Sequence, residues 1–139
     1  MAIVVPKDGD IISAGTFGAP VANEVNRITP IATVTAWQAL PLSNNATVFN
    51  IPPSCRKVGD MVQLKGNSAS GTAGSTIATL PTGFRPLAVV EMLAYQYNGG
   101  WVYCNITIDT NGQLKYINPP NISANTANVS LWGLSFPTT

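Results

Sequence analysis

The sequence predicts a mainly β protein, a jelly-roll-like β-sandwich of about eight short antiparallel strands. Three observations predict it. Charged residues make up only 9% of the 139 residues, against about a quarter in ordinary domains. Gly, Pro, Ser, Thr and Asn fill the difference, a composition suited to short strands and frequent turns. The stretch Leu87–Ile117 alternates with period two and is interrupted by two glycine-containing turns, the pattern of a three-stranded meander. Elsewhere, short β-branched and aromatic runs are separated by turn residues at close intervals.

Residues 1–30 differ from the remainder. Ile3-Val4-Val5 is a short strand candidate and Pro6-Lys7-Asp8-Gly9-Asp10 a turn. Phe17, Val21, Val25 and Ile28 then recur at spacings of four, four and three, one stripe of a helix. Thr16 is placed to cap it, Pro20 falls in its first turn and Pro30 ends it. A helix of about a dozen residues is marginal by itself, so the stripe must pack on its own domain, on sister chains or on another protein. We read residues 1–30 as an anchoring or assembly segment and residues 31–139 as a β head. The start of the chain lacks the basic and apolar regions of a secretory signal, and no apolar run approaches the roughly 20 residues of a membrane-spanning helix.

In the head, Thr33–Trp37 and Thr47–Ile51 are strand candidates, separated by Pro41 and Ser43-Asn44-Asn45. Pro52-Pro53-Ser54 breaks the chain, and Arg56–Asp60 leads into a strand over Met61–Gly66, with Val62 and Leu64 on one face. Asn67–Ser75, rich in Gly, Ser and Ala and without an apolar anchor, reads as an exposed loop. Thr76–Leu80 is a short strand, and Pro81–Pro86 a turn-rich connection in which Arg85 is placed to hold loop carbonyls. In the meander, strands Val89–Tyr97, Trp101–Asp109 and Gln113–Ile117 are joined by three-residue loops at 98–100 and 110–112. Those loops pair Tyr97 with Trp101, Tyr95 with Tyr103, Met92 with Ile106 and Ile108 with Leu114. One face then carries Val90, Met92, Ala94, Val102, Cys104, Ile106, Ile108 and Leu114, and is core. The other carries Glu91, Leu93, Tyr95, Tyr97, Trp101, Tyr103, Asn105, Thr107 and Lys115. A slip of one residue would scramble this sorting, so the register is specified. Asn128–Phe136 is the last strand.

Little in the chain suits catalysis. Histidine is absent and the six acidic residues are scattered, which removes the usual general base and the commonest metal ligand. With two cysteines and no histidine, no zinc site is expected, and no phosphate loop or dinucleotide fingerprint occurs. Glu91 and Asp109 share a hairpin, but a carboxylate pair alone does not make a glycosidase. We therefore expect no catalytic residues, cofactor or metal. The net charge of +1 argues against nucleic acid, which asks for a basic face. Cys104 falls on the core face as a small apolar filler, and nothing suggests the oxidising compartment that a Cys55–Cys104 disulfide requires. Arg56, Lys57 and Asp60 are expected to pair locally around their turn.

The aromatic group Tyr95, Tyr97, Trp101 and Tyr103, with Asn105 beside it, has two readings. Sugars stack C–H faces on such rings while amides hydrogen-bond the rim. Cross-strand aromatic pairs also stabilise a sheet by roughly 0.2–1 kcal/mol each, and such a face suits a sister subunit. The subunit contact is the stronger reading.

Several stretches resemble the C-terminal domain of bacteriophage tail-fibre and minor tail proteins. They are Trp37 to Leu42, Cys55-Arg56-Lys57-Val58-Gly59-Asp60-Met61-Val62-Gln63-Leu64-Lys65-Gly66, Leu80-Pro81-Thr82-Gly83-Phe84-Arg85-Pro86, the Ile108 to Gly112 hairpin, and Val129-Ser130-Leu131-Trp132-Gly133-Leu134-Ser135-Phe136. In order and spacing they cover residues 37–136. Cys55 stands where that family usually has a tyrosine, which puts an aromatic contact there in question. Pro6–Ala14 resembles the virion-attachment start of phage fibres and spikes. The resemblance implies a small β-sandwich head, commonly a homotrimer, displayed on a virion and anchored to other virion proteins through residues 1–30; the head either binds a host-surface glycan or is only structural. It carries no catalytic residues, and its motif residues read as fold-determining. A capsid or tail decoration protein and a stand-alone glycan-binding module are the alternatives.

Overall fold

The computed structural model describes residues 32–97, 99–120 and 127–139, and the account below concerns the compact unit Thr33–Thr139. The expected strand at Ile3–Val5 and the stripe Phe17, Val21, Val25 and Ile28 lie outside the described residues. What is described is mainly β, as the sequence predicts. The strands are β1 (Gln38–Ala39), β2 (Thr47–Val48), β3 (Ser54–Val58), β4 (Met61–Lys65), β5 (Asn67–Gly71), β6 (Thr76–Thr79), β7 (Val90–Tyr97), β8 (Trp101–Ile108), β9 (Gln113–Ile117), β10 (Ala127–Ser130) and β11 (Ser135–Pro137). A single turn of 3₁₀ helix, Thr82–Phe84, buries Phe84.

The strands form two antiparallel sheets. One has the order β1-β3-β4-β11 and the other β2-β5-β10-β7-β8-β9-β6. Val62, Leu64 and Phe136 of the first sheet and Ile77, Ile106, Ile108, Leu114, Tyr116 and Val129 of the second are buried in one core. Each such large apolar side chain contributes about 1.5–3 kcal/mol on burial.

The meander has the predicted register, with Tyr97 opposite Trp101, Tyr95 opposite Tyr103, Met92 opposite Ile106 and Ile108 opposite Leu114. Its two faces sort as the alternation requires. Cys104, Ile106, Ile108 and Leu114 are fully buried, while Leu93, Tyr95, Trp101 and Tyr103 are exposed. Local chemistry fixes the second turn. The Asp109 carboxylate accepts from the backbone N–H of Asn111 (2.9 Å) and of Gln113 (3.0 Å), and Gly112 takes φ +81°, the left-handed position a three-residue hairpin loop needs. The Gly112 carbonyl then accepts from Leu80 N–H at 2.8 Å, tying the hairpin to β6. Arg85 does hold a loop carbonyl, donating through Nε to Leu80 O at 3.1 Å.

Four expectations need correction. Thr33–Trp37 is not a strand but a run beside β3, held by the Val34–Val58 bridge and by reciprocal bonds of Thr35 with Lys57. The pairing there is taken up by β1 and by β3, which the sequence reading treated as a lead-in. The second candidate, Thr47–Ile51, shortens to Thr47–Val48 because Asn50 adopts φ +62°. Asn67–Ser75 is not an exposed loop. Asn67–Gly71 is β5, paired on both sides between β2 and β10. Its small residues answer a steric demand: a Cβ on Gly71 would meet Ile77 Cγ2 at 2.5 Å, and the Tyr116 hydroxyl donates to Gly71 O at 2.6 Å. Finally, Asn128–Phe136 is two strands, β10 in one sheet and β11 in the other.

These last two corrections have one cause. β4 and β11 pair in the smaller sheet, and their continuations β5 and β10 pair in the larger. Two neighbouring strands thus pass from sheet to sheet together, forming a corner. Gly66 turns one of them at φ +91°, where a side chain would run into the Pro52 carbonyl. Residues 131–134 turn the other, with Gly133 at φ +79° and Leu134 N–H bonded to Leu131 O at 3.4 Å. The extra turn puts both Leu131 and Leu134 in the core, which a continuous alternation forbids. Leu131 N–H donates to Gly66 O, and Leu64 N–H to Leu134 O, both at 2.9 Å, so the corner stays hydrogen-bonded.

One part of the inner face is polar. Ser68, Val129 and Gln96 lie side by side on adjacent strands. Ser68 and Gln96 are fully buried, and the Ser68 hydroxyl and both amide atoms of Gln96 have no hydrogen-bond partner. Such groups cost about 1–3 kcal/mol each.

Candidate functional site

Among the described residues, two outward surfaces bring aromatic side chains together. The first is the outer face of the meander. Consecutive outward positions of β7 and β8 put Leu93, Tyr95, Trp101 and Tyr103 there at 64%, 62%, 67% and 58% exposure, with Tyr97 and Asn105 also exposed. Every residue singled out on this face by its alternation therefore lies on one surface. Tyr97 and Trp101 meet with ring centroids 5.3 Å apart and planes tilted by 58°, a favourable edge-on arrangement. The surface follows the pleat of an antiparallel pair. The other predicted contact residues, Phe17, Val21, Val25 and Ile28, lie outside the described residues.

The second surface is at the corner, and the sequence reading did not find it. Gln63 and Ser135 are directly opposite in β4 and β11, Arg56 is opposite Gln63, and Trp37 directly precedes β1 at the far side of Arg56. Val62, Leu64 and Phe136 fill the alternate, inward positions, so this row faces out. Arg56 Nε donates to Gln63 Oε1 at 2.8 Å. The Arg56 guanidinium lies 4.6 Å and the Lys65 ammonium 4.4 Å from the centroid of the Trp37 ring, two cation–π contacts worth about 0.5–1 kcal/mol each when exposed. Arg56 is therefore engaged by an indole and an amide, not by the expected local ion pair with Asp60.

A cleft of about 230 Å³ opens beside this row, lined by Trp37, Gln63, Leu64, Lys65, Trp132, Gly133, Leu134 and Ser135. Trp132 belongs to a motif read as fold-determining, yet it is 51% exposed between buried Leu131 and Leu134. Its indole does not fill the core; it walls the cleft. The two tryptophans come from opposite ends of the head, so no local spacing marks them as partners. The available sign was a large aromatic next to a glycine in a turn.

Other chemistry is sparse. Among the described residues, no three His, Cys, Asp or Glu side chains cluster as a metal site needs. Cys55 and Cys104 are free and buried, and burial pushes both thiols up from 9.0 to about 11. They are inert fillers, not nucleophiles. Glu91 is exposed and Asp109 is occupied by its turn.

The fold is similar to that of two solved phage proteins. Its likeness extends to the receptor-binding protein gp15 of Listeria phage PSA, with a TM-score of 0.64 and 21% identity over 88% of this chain and 75% of that one. It extends also to the head domain of lactococcal phage bIL170, with a TM-score of 0.59 and 20% identity over 73% of this chain and 96% of that one. At these identities the likeness establishes the fold. No family model and no curated protein matches the sequence.

Proposed function

We propose that the chain is a non-enzymatic bacteriophage virion protein, a short trimeric fibre or spike whose β head attaches the particle to a host-surface glycan. The observation that carries this reading is the fold, shared over most of the chain with a Listeria phage receptor-binding protein and a lactococcal phage head domain. The motif resemblance along residues 37–136 supports it independently. Residues 1–30 anchor the head to other virion proteins. The meander face is the subunit contact. Its large side chains form a contiguous exposed apolar patch of the kind monomeric proteins rarely leave uncovered, and few charges there need desolvating.

Two measurements test this. Antibody against the chain should label the particle at a few sites on the tail or at vertices and block adsorption, and the free protein should compete with the particle for host cells. Labelling spread over the whole shell without any effect on adsorption would establish the decoration reading instead. Deleting residues 1–30 should abolish incorporation into particles; full incorporation without them refutes the anchor.

A further inference from the structure

We infer that the corner cleft between Trp37 and Trp132 is a binding site for a single sugar unit bearing an anionic group, a phosphate or a carboxylate. The inference rests on the attachment reading and gives it a location and a chemical class.

Three features of the cleft lead there. The first is its walls. Two of the three tryptophans of the chain line one small concavity, and one of them, Trp132, is half exposed at a turn. The half-exposed indole of Trp132 presents a flat apolar face, which suits the C–H face of a pyranose, while Trp37 with its two cations forms the opposite wall. The second is size. A cleft of about 230 Å³ falls below the ~300–1,000 Å³ of sites for drug-sized ligands, so it suits one ring and not a folded peptide or an extended chain. The third is charge. Lys65 lines the cleft, and both Lys65 and Arg56 lie over the Trp37 ring. Both cations are spent on neutral partners, the indole and the Gln63 amide. An ammonium held over a ring keeps its charge available for an incoming anion.

The polar groups complete the arrangement. The Gln63 amide oxygen is tied by Arg56, which fixes the amide and leaves its nitrogen as a donor. Ser135, directly opposite in the ladder, supplies a hydroxyl that both donates and accepts. Sugar hydroxyls need that mixture. The backbone beside the cleft is hydrogen-bonded across the corner, Leu64 N–H to Leu134 O and Leu131 N–H to Gly66 O, which limits the reorganisation that a ligand must cause.

The test is isothermal titration of the full chain with glucose, glucose 6-phosphate, glucuronic acid and inorganic phosphate, on the wild type, Trp132→Ala and Lys65→Gln. Both anionic sugars should bind at least tenfold tighter than glucose and than phosphate. Trp132→Ala should weaken them at least tenfold without changing the melting temperature, because that side chain is outside the core. Lys65→Gln should bring them to the level of glucose. Equal affinity for glucose and the anionic sugars overturns the anionic class. Phosphate binding as tightly as the phosphosugar overturns the stacking role. No sugar binding, or binding unchanged in Trp132→Ala, overturns the site. The same Trp132→Ala protein is then set against the particle for host cells. If the wild type competes and the variant competes equally, attachment stands and the cleft falls. If the wild type does not compete at all, the attachment reading is what fails.

Discussion

The outer face of the meander and the corner cleft are both outward and aromatic; the cleft also carries two cations, Arg56 and Lys65, and the two surfaces differ in the backbone beneath them. On the meander, β7 and β8 run in unbroken register for eight residue pairs, so Leu93, Tyr95, Trp101 and Tyr103 stand side by side on a pleated plane. At the corner, two strands change sheets together, and the turn at 131–134 lifts Trp132 away from the core and across from Trp37. A plane of rings offers area, which a protein partner can cover. A bend offers concavity, which a small ligand can fill. The curvature of the ladder, not the number of aromatic residues, decides what each surface can hold.

The comparison breaks most visibly at the level of assembly. Leu93→Glu combined with Tyr103→Glu puts carboxylates in the middle of the meander face, on neighbouring strands with no cation beside them. We expect the wild type to sediment as a trimer and this variant as a monomer that still binds the cleft ligand. Trp132→Glu should do the reverse, keeping the trimer and losing the ligand. A monomeric wild type, or a Leu93/Tyr103 variant that stays trimeric, would falsify the division of labour.

A smaller effect separates the two surfaces in the folded subunit itself. Trp37 is half-buried and carries two cations, whereas Trp101 stands two-thirds exposed with one ring contact. In a monomeric background, Trp37→Ala should lower the unfolding free energy in urea by about 1–3 kcal/mol. Trp101→Ala should cost no more than about 1 kcal/mol. Equal losses would mean that the meander rings are as integrated into the subunit as the cleft wall.

The same contrast explains what was legible in the sequence. The meander could be read in full because its information is local. Strict alternation from Val90 to Leu114 and two three-residue loops fix which residues pair and which face is core. The corner could not be read because it violates alternation at both strands. Lys65-Gly66-Asn67 continues one strand into another sheet through a single left-handed glycine, and Ser68-Ala69-Ser70-Gly71 looks like a loop because the chain there must be thin. What makes it a strand is Ile77 and Tyr116 packed against it, and those lie in other strands. The cleft inherits this. Trp37 and Trp132 are brought together only by the order β1-β3-β4-β11, which no spacing within the chain announces. The unpaired Gln96 is similar: the alternation places it inward between Tyr95 and Tyr97, but only the structure shows that it finds no partner.

Gln96 gives a third, smaller test, on the hidden side of the meander. Gln96→Met keeps the length of the side chain and removes a buried amide that makes no hydrogen bond. The exchange should raise stability by about 1–2 kcal/mol while leaving assembly and ligand binding unchanged. A loss of stability would show that the amide has a partner in solution.

The smallest effect uses the thiol that lies behind each surface. Cys104 sits in the core opposite Ala94, behind Tyr95 and Tyr103, and Cys55 sits behind the Arg56–Gln63 row, opposite Leu64. Burial raises both from 9.0 to about 11, a backbone hydrogen bond opposing the rise at Cys55. The folded state therefore holds these protons more tightly than the unfolded chain does. The stability that this preference provides is complete below pH 9 and is lost as pH rises from there through about 11. Replacing both cysteines by alanine should remove that part of the alkaline loss, so that the two proteins differ by a constant amount up to about pH 9 and converge above it. Native labelling with a thiol reagent below that pH should be slow at both positions. If Cys55 reacts faster than Cys104, the corner opens more readily than the meander, as expected of a ladder interrupted by two left-handed glycines; if Cys104 reacts first, the flat sheet is the softer of the two.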